Sequence, residues 1–109
     1  MKHYLQDEFE TFVGEIRELV QNFHNKNFPT LHTPDVGFDN GRTYWRLWRD
    51  DGQGHGKSVY GFVRKDDGAI FRATGWKGPQ TKTKSAIRGY LHDTDRLTYC
   101  NGYSINYAQ

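Results

Sequence analysis

Little in this chain staples, anchors or crosses anything. Cys100 is its one cysteine, which excludes an intrachain disulfide, so the chain has to fold by burial alone, as proteins of reducing compartments do. His3, His24, His32, His55 and His92 are scattered, with no pair at helical metal spacing and no second thiol to join them. That pattern argues against a zinc site, and neither a metal nor a cofactor is expected. No stretch approaches the roughly 18 apolar residues that a membrane span requires, and Met1 to Glu8 turns acidic where a signal peptide turns apolar. The expectation is a soluble, cytoplasmic protein. Ser58 and Ser85 lie in no nucleophile-elbow context, and Gly52, Gly54 and Gly56 fit neither the P-loop nor the dinucleotide spacing. No catalytic residue is expected.

Rings and cations are what the chain does have. Seven Phe, seven Tyr and three Trp make 16% of its 109 residues aromatic, so the core should be built from rings. The net charge of +2 conceals an asymmetry: residues 1–41 carry three Lys/Arg and seven Asp/Glu, residues 42–109 twelve and six. The split suggests either that the second part presents a positive field toward an anionic partner or that the two parts neutralise each other.

Leu5, Phe9, Phe12, Val13, Ile16, Leu19, Val20 and Phe23 share one stripe of a 3.6-residue period, which predicts an amphipathic helix over residues 1–26. Asp7, Glu8 and Glu10 at its start and Lys26 at its end suit the helix dipole. Gly14 beside the stripe suggests the close approach of a strand. Residues 27–41, punctuated by Pro29, Pro34, Gly37 and Gly41, read as an ordered connector.

Residues 42–109 read as a basic, aromatic sheet. Arg42 to Arg49 alternates Tyr44, Arg46 and Trp48 against Thr43, Trp45 and Leu47. Ser58 to Arg64 splits Tyr60 and Phe62 from Val59, Gly61 and Val63. Lys65-Asp66-Asp67-Gly68 is a tight turn with Gly68 left-handed, leading to a third strand over 69–74. Gly75 to Pro79 stops it, a short second helix is expected over 81–91, and Asn101-Gly102 closes a final hairpin. The predicted fold is α+β: one domain, a long N-terminal helix on an antiparallel sheet of about five strands. One helix covers one face only, so the aromatic face left over predicts a second cover, and self-association as a dimer is expected.

The candidate ligand-binding residues are Arg46, Arg72, Trp76, Lys77, Lys82, Lys84 and Arg88. Cations neutralise phosphate, while an indole is a sequence-tolerant stacking surface for a base. Arg46, between Tyr44 and Trp48, either faces a ligand or stacks on rings for structural reasons. Arg72, Trp76 and Arg88 are expected to act as one site, with a helix over 82–88 returning Arg88 toward the end of the third strand.

From residue 41 onward, Gly41-Arg42-x-Tyr44 with Trp48-Arg49, Ser58-Val59-x-Gly61-Phe62-Val63, Asp67-Gly68-x-Ile70, Ala73-x-Gly75-Trp76-x-x-Pro79, Arg88-Gly89 and Tyr103-Ser104-Ile105 resemble a group of short proteins of tailed bacteriophages, including phages of marine cyanobacteria. Gln80 to Ser85 departs from that pattern, being longer and richer in Thr and Lys. The resemblance implies a phage origin, residence in the host cytoplasm and a small accessory role. The reading is a non-catalytic protein that binds nucleic acid or a phosphate-bearing nucleotide. The rivals are a protein-interaction module, such as an inhibitor of a host or defence protein, and a small enzyme using His92 or His55.

Overall fold

In the computed structural model, residues 4–30, 33–52, 56–76, 78–79, 81, 87–98, 100–101 and 103–105 are described. The apolar stripe forms helix α1, Gln6–Asn27. It buries Phe9, Phe12, Val13, Ile16 and Val20, with Leu5 and Leu19 packed at the margin. Asp7 and Glu8 occupy its first turn and His24 and Lys26 its last, matching the dipole. No helix is long and apolar enough to cross a membrane among the described residues.

The strands are β1 (Asp35–Asn40), β2 (Tyr44–Asp50), β3 (Lys57–Arg64), β4 (Ala69–Phe71), β5 (Ala73–Gly75), β6 (Gly78–Pro79) and β7 (Ile87–Tyr90). β1, β2, β3, β4 and β7 form, in that order, a five-stranded antiparallel sheet, and β5 and β6 form a separate two-stranded ribbon. The expected α+β fold, helix on antiparallel sheet, is what the chain adopts.

The helix lies on the face that carries Trp45, Leu47, Val63 and Ile70. Phe9 stacks on Trp45 with centroids 4.2 Å apart and planes 8° from parallel, and Phe38 meets Phe9 edge-on at 4.9 Å. Tyr44, Arg46 and Trp48 take the other face, as their alternation predicts. In β3 the alternation breaks. Leu47 pairs with Gly61, but the next residue, Trp48, pairs with Val59, so Tyr60 is the extra residue of a bulge. Tyr60 therefore joins the helix-side core, while Phe62 belongs to the opposite cluster. The expectation that they share a face is corrected by that one inserted residue. The bulge also leaves the Tyr60 carbonyl open to Ile105, whose N–H donates to it at 2.9 Å. A Cβ on Gly61 would meet Ile105 Cδ1 at 2.3 Å, so glycine is what lets Ile105 seat there.

Other expectations are revised by tertiary pairing. Residues 35–40 of the supposed connector are a strand. The third strand breaks at Arg72, and 73–75 leave the sheet to pair with 78–79, so the segment read as a stop is the tip of a ribbon. Ile87–Tyr90, expected to be helical, is the edge strand β7. Pairing with β4 satisfies the main-chain groups on that side, and a helix there would bear the cost of Gly89, about 1 kcal/mol; residues 82–86 of that expected helix lie outside the described residues. Of the final hairpin, the described residues show one isolated bridge, Cys100 with Ile105; Tyr99, Gly102, Asn106 and Tyr107 lie outside them. Among the described residues Gly14 has nothing within 4 Å of where a Cβ would stand, so no described strand approaches it. The Lys65–Gly68 turn is as expected: Gly68 has a φ of +76° and donates to the Arg64 carbonyl at 2.9 Å.

Candidate functional site

On the sheet face away from the helix, Phe62 and Phe71 stand opposite each other on β3 and β4. Tyr44 meets both edge-on, at 6.0 and 5.7 Å. The β5–β6 ribbon lies against β3 and provides this face with a cover from the chain itself.

Where the β1–β2 hairpin faces Pro79 of the ribbon, a groove of about 330 Å³ opens, with Tyr44 and Phe62 among its apolar walls and Asp39, Arg42 and Arg46 among its charged ones. Its geometry follows from register. Asp39 sits directly across from Arg46, and a cross-strand pair of opposite charge is favourable. Both Arg46 Nε, at 3.1 Å, and Nη2, at 2.8 Å, donate to Asp39 Oδ2. Nη1 donates to the Trp76 carbonyl at 3.2 Å, and the guanidinium lies 4.2 Å from the centroid of the Trp76 ring. Arg46 thus ties the ribbon tip to the sheet. Trp76 remains 37% exposed. Arg42, at the hairpin turn, is exposed, and no described carboxylate pairs with it.

Of the residues expected to form a site, Arg46 and Trp76 are brought together. The open question about Arg46 has a geometric answer in part: it stacks on a ring and holds an ion pair while lining a groove. Arg72, beyond the end of β4, is half-buried and lines a separate cavity of about 150 Å³ with Tyr60, Ala73 and Ile105. Arg88 is the extra residue of a second bulge, between the pairs Ile70–Gly89 and Phe71–Ile87, and is 4% exposed. A strand does not carry it back as a helix would have done, and its guanidinium is not at the surface. Lys77, Lys82 and Lys84 lie outside the described residues.

Sequence reasoning missed Asp39 and Arg42, which became legible only once β1 was placed as a strand. It also missed Arg96. That residue donates to both oxygens of Glu15, at 2.7 and 2.9 Å, and to the Leu91 carbonyl, and packs over Phe12. The Glu15 bonds raise its affinity for its proton further. Together they tie the 91–98 turn to the helix. A cavity of about 400 Å³ beside it is lined by Glu15, Asp93 and Asp95, acidic where the first groove is basic.

Groups with chemistry of their own are muted. Burial pushes the Cys100 thiol up to about 12, and the buried Tyr60 hydroxyl is pushed up likewise while donating to the Asn101 carbonyl at 2.6 Å. His92 is 71% exposed beside Asp93, at 3.6 Å. No three His, Cys, Asp or Glu side chains gather as a metal ion would need, among the described residues.

A family of unknown function (DUF7717) matches residues 2–103. The chain belongs to that family. The match takes in α1 as well as the sheet, so the family's unit includes the helix on which the sheet is built. No curated protein and no solved structure matches the chain.

Proposed function

We propose that this member of the family is a non-catalytic binding module whose ribbon-covered face takes an anionic, ring-bearing partner: a nucleotide or a single strand of nucleic acid. The observation that carries the reading is the groove at the β1–β2 hairpin. There Tyr44 and Phe62 form apolar walls, exposed Arg42 stands at the turn, and Arg46 holds a half-exposed Trp76 nearby. The partly exposed Tyr44 ring accepts a base by stacking, for about 1–3 kcal/mol per base. Arg42 meets a phosphate by releasing its counterions. Arg46, already bonded to Asp39, acts chiefly by positioning the indole.

The non-catalytic part of the reading is supported by Cys100 and Tyr60, whose burial moves both still further from ionisation. The resemblance of residues 41 onward to short tailed-phage proteins supports an accessory role in an infected cell. A second reading, a protein-docking module, is favoured by Phe28 and Tyr103, 37% and 50% exposed, which both pack edge-on against Phe23 near the end of the helix.

Titration with a short single-stranded oligonucleotide at rising salt separates the two. Phosphate binding requires affinity to fall steeply with salt, and Arg42→Ala should weaken it by at least about tenfold, as charge-assisted contacts carry about 1.5–3 kcal/mol. Absence of binding at low salt, or binding that ignores both salt and Arg42, would overturn the nucleic-acid reading.

A further inference from the structure

The groove contains one group that a purely phosphate-binding surface would not. Asp39 is a carboxylate, 39% exposed, and it lines the same groove as Arg42. Both hydrogen bonds from Arg46 fall on Oδ2, and no described residue donates to Oδ1. Its position is fixed by the register of β1 on β2 and by the two bonds from one guanidinium. An ionised carboxylate is an acceptor only, and near a phosphate it repels. Its presence in a binding groove is useful to a ligand that brings N–H donors to the Asp39 end and keeps its negative charge at the Arg42 end.

The Watson–Crick edges of the bases differ in this respect. Guanine alone places two donors side by side, its ring N1–H and its exocyclic amino group. Adenine and cytosine set a ring acceptor next to their amino group, and uracil flanks its single N–H with two carbonyls. A carboxylate facing such an edge gains with guanine and meets at least one opposing lone pair with the others. Reading an unstacked base by its Watson–Crick edge while rings pack against its face is how single-stranded nucleic acid is recognised in general.

We propose that the groove selects guanine, as a free nucleotide or within a single strand, with Asp39 accepting from the base edge, the partly buried Tyr44 ring packing against the base, and Arg42 meeting the phosphate. The inference rests on the groove reading above and adds to it the identity of the base. It assigns Asp39 two tasks: one oxygen holds Arg46, and through it Trp76, while the other reads the ligand.

Calorimetric titration of the full chain with GMP, AMP, CMP and UMP at low salt tests it. GMP should bind at least about tenfold tighter than the others, as a charge-assisted hydrogen bond carries about 1.5–3 kcal/mol. Asp39→Asn, which replaces one acceptor oxygen by a donor, should abolish the preference. Equal affinity for the four nucleotides would overturn the guanine assignment, and a guanine preference that survives Asp39→Asn would overturn Asp39 as its reader; both leave the groove in place. Should Asp39→Asn fail to melt cooperatively, the wild-type series and Arg42→Ala decide. Loss of GMP affinity in Arg42→Ala supports the groove, and unchanged affinity puts the site elsewhere and overturns both readings. No binding of any nucleotide or of a guanine-rich oligonucleotide likewise overturns both.

Discussion

The two faces of the five-stranded sheet are built on different terms. Under the helix, Phe9 and Trp45 lie flat on each other with neither exposed, and Ile16, Leu47 and Val63 close around them. On the opposite face Phe62 and Phe71 are also buried, but their cover is a two-stranded ribbon. Ion pairs run across that face, Asp39 with Arg46 and Arg64 with Asp67, and the Arg64 guanidinium lies 5.1 Å from the Phe71 ring. A face whose task is stability can be dry and continuous. A face that keeps charge, rings and partial exposure together forgoes part of that stability, and the groove lies there. On the proposed reading, the difference assigns folding to one side of the sheet and recognition to the other.

The sharpest way to break this contrast is to truncate one ring on each side. Phe9→Ala should cost about 3–5 kcal/mol, as buried aromatic truncations do. Trp76→Ala should cost about 1 kcal/mol or less, since an exposed cation–π contact is worth about 0.5–1 kcal/mol. Urea denaturation measures both, and equal losses would mean that the ribbon tip is core. Next in size is Gly61→Ala, which forces Ile105 out of its seat at the bulge and should cost about 1–3 kcal/mol without changing the groove. A neutral result would show that residue 105 does not pack there.

Much of the helix side was legible from residue spacing, because a 3.6-residue stripe from Leu5 to Phe23 has one structural meaning. The sheet was legible strand by strand wherever alternation ran unbroken, as in Tyr44 to Trp48. It failed where one residue changes the phase: Tyr60 and Phe62 look equivalent in sequence and end on opposite faces because of the bulge. Strand β1 was hidden by Asp35, Gly37, Asp39 and Asn40, residues that read as a turn. Gly37 is there for another reason, since its missing Cβ would overlap the Trp48 ring at 2.4 Å. The site was legible in its residue types and not in its grouping. Arg46 and Trp76 are 30 positions apart, and they meet only because the chain turns back at the ribbon, an arrangement no local pattern announces.

Smaller effects refine the helix side and the turn. Gly14→Ala should stabilise the protein by up to about 1 kcal/mol, because the added methyl group meets nothing and the helix gains a better former. A loss in the melting temperature would show a contact that the structure does not contain. On the ribbon face, Arg64 donates to both oxygens of Asp67, at 3.1 and 2.8 Å, and that bonding chiefly lowers the Asp67 carboxyl below its usual value. A lowered folded value means that the pair stabilises above the unfolded carboxyl's pKa. The contribution disappears as pH falls through the folded one. Asp67 is 42% exposed, so the effect should stay under about 1 kcal/mol. Asp67→Asn should flatten the acid limb of the stability profile by that small amount, and an unchanged limb would mean that the pair contributes nothing to folding.

The division of labour between the two faces is tested most directly by backbone amide NMR of the full chain during titration with GMP at low salt. The account predicts shifts that concentrate at Asp39 to Arg46 and at Trp76, with the amides of Gln6–Asn27 unmoved. Shifts centred on Glu15 and Thr94 to Thr98, around the acidic cavity, or no shifts at millimolar nucleotide, would contradict it.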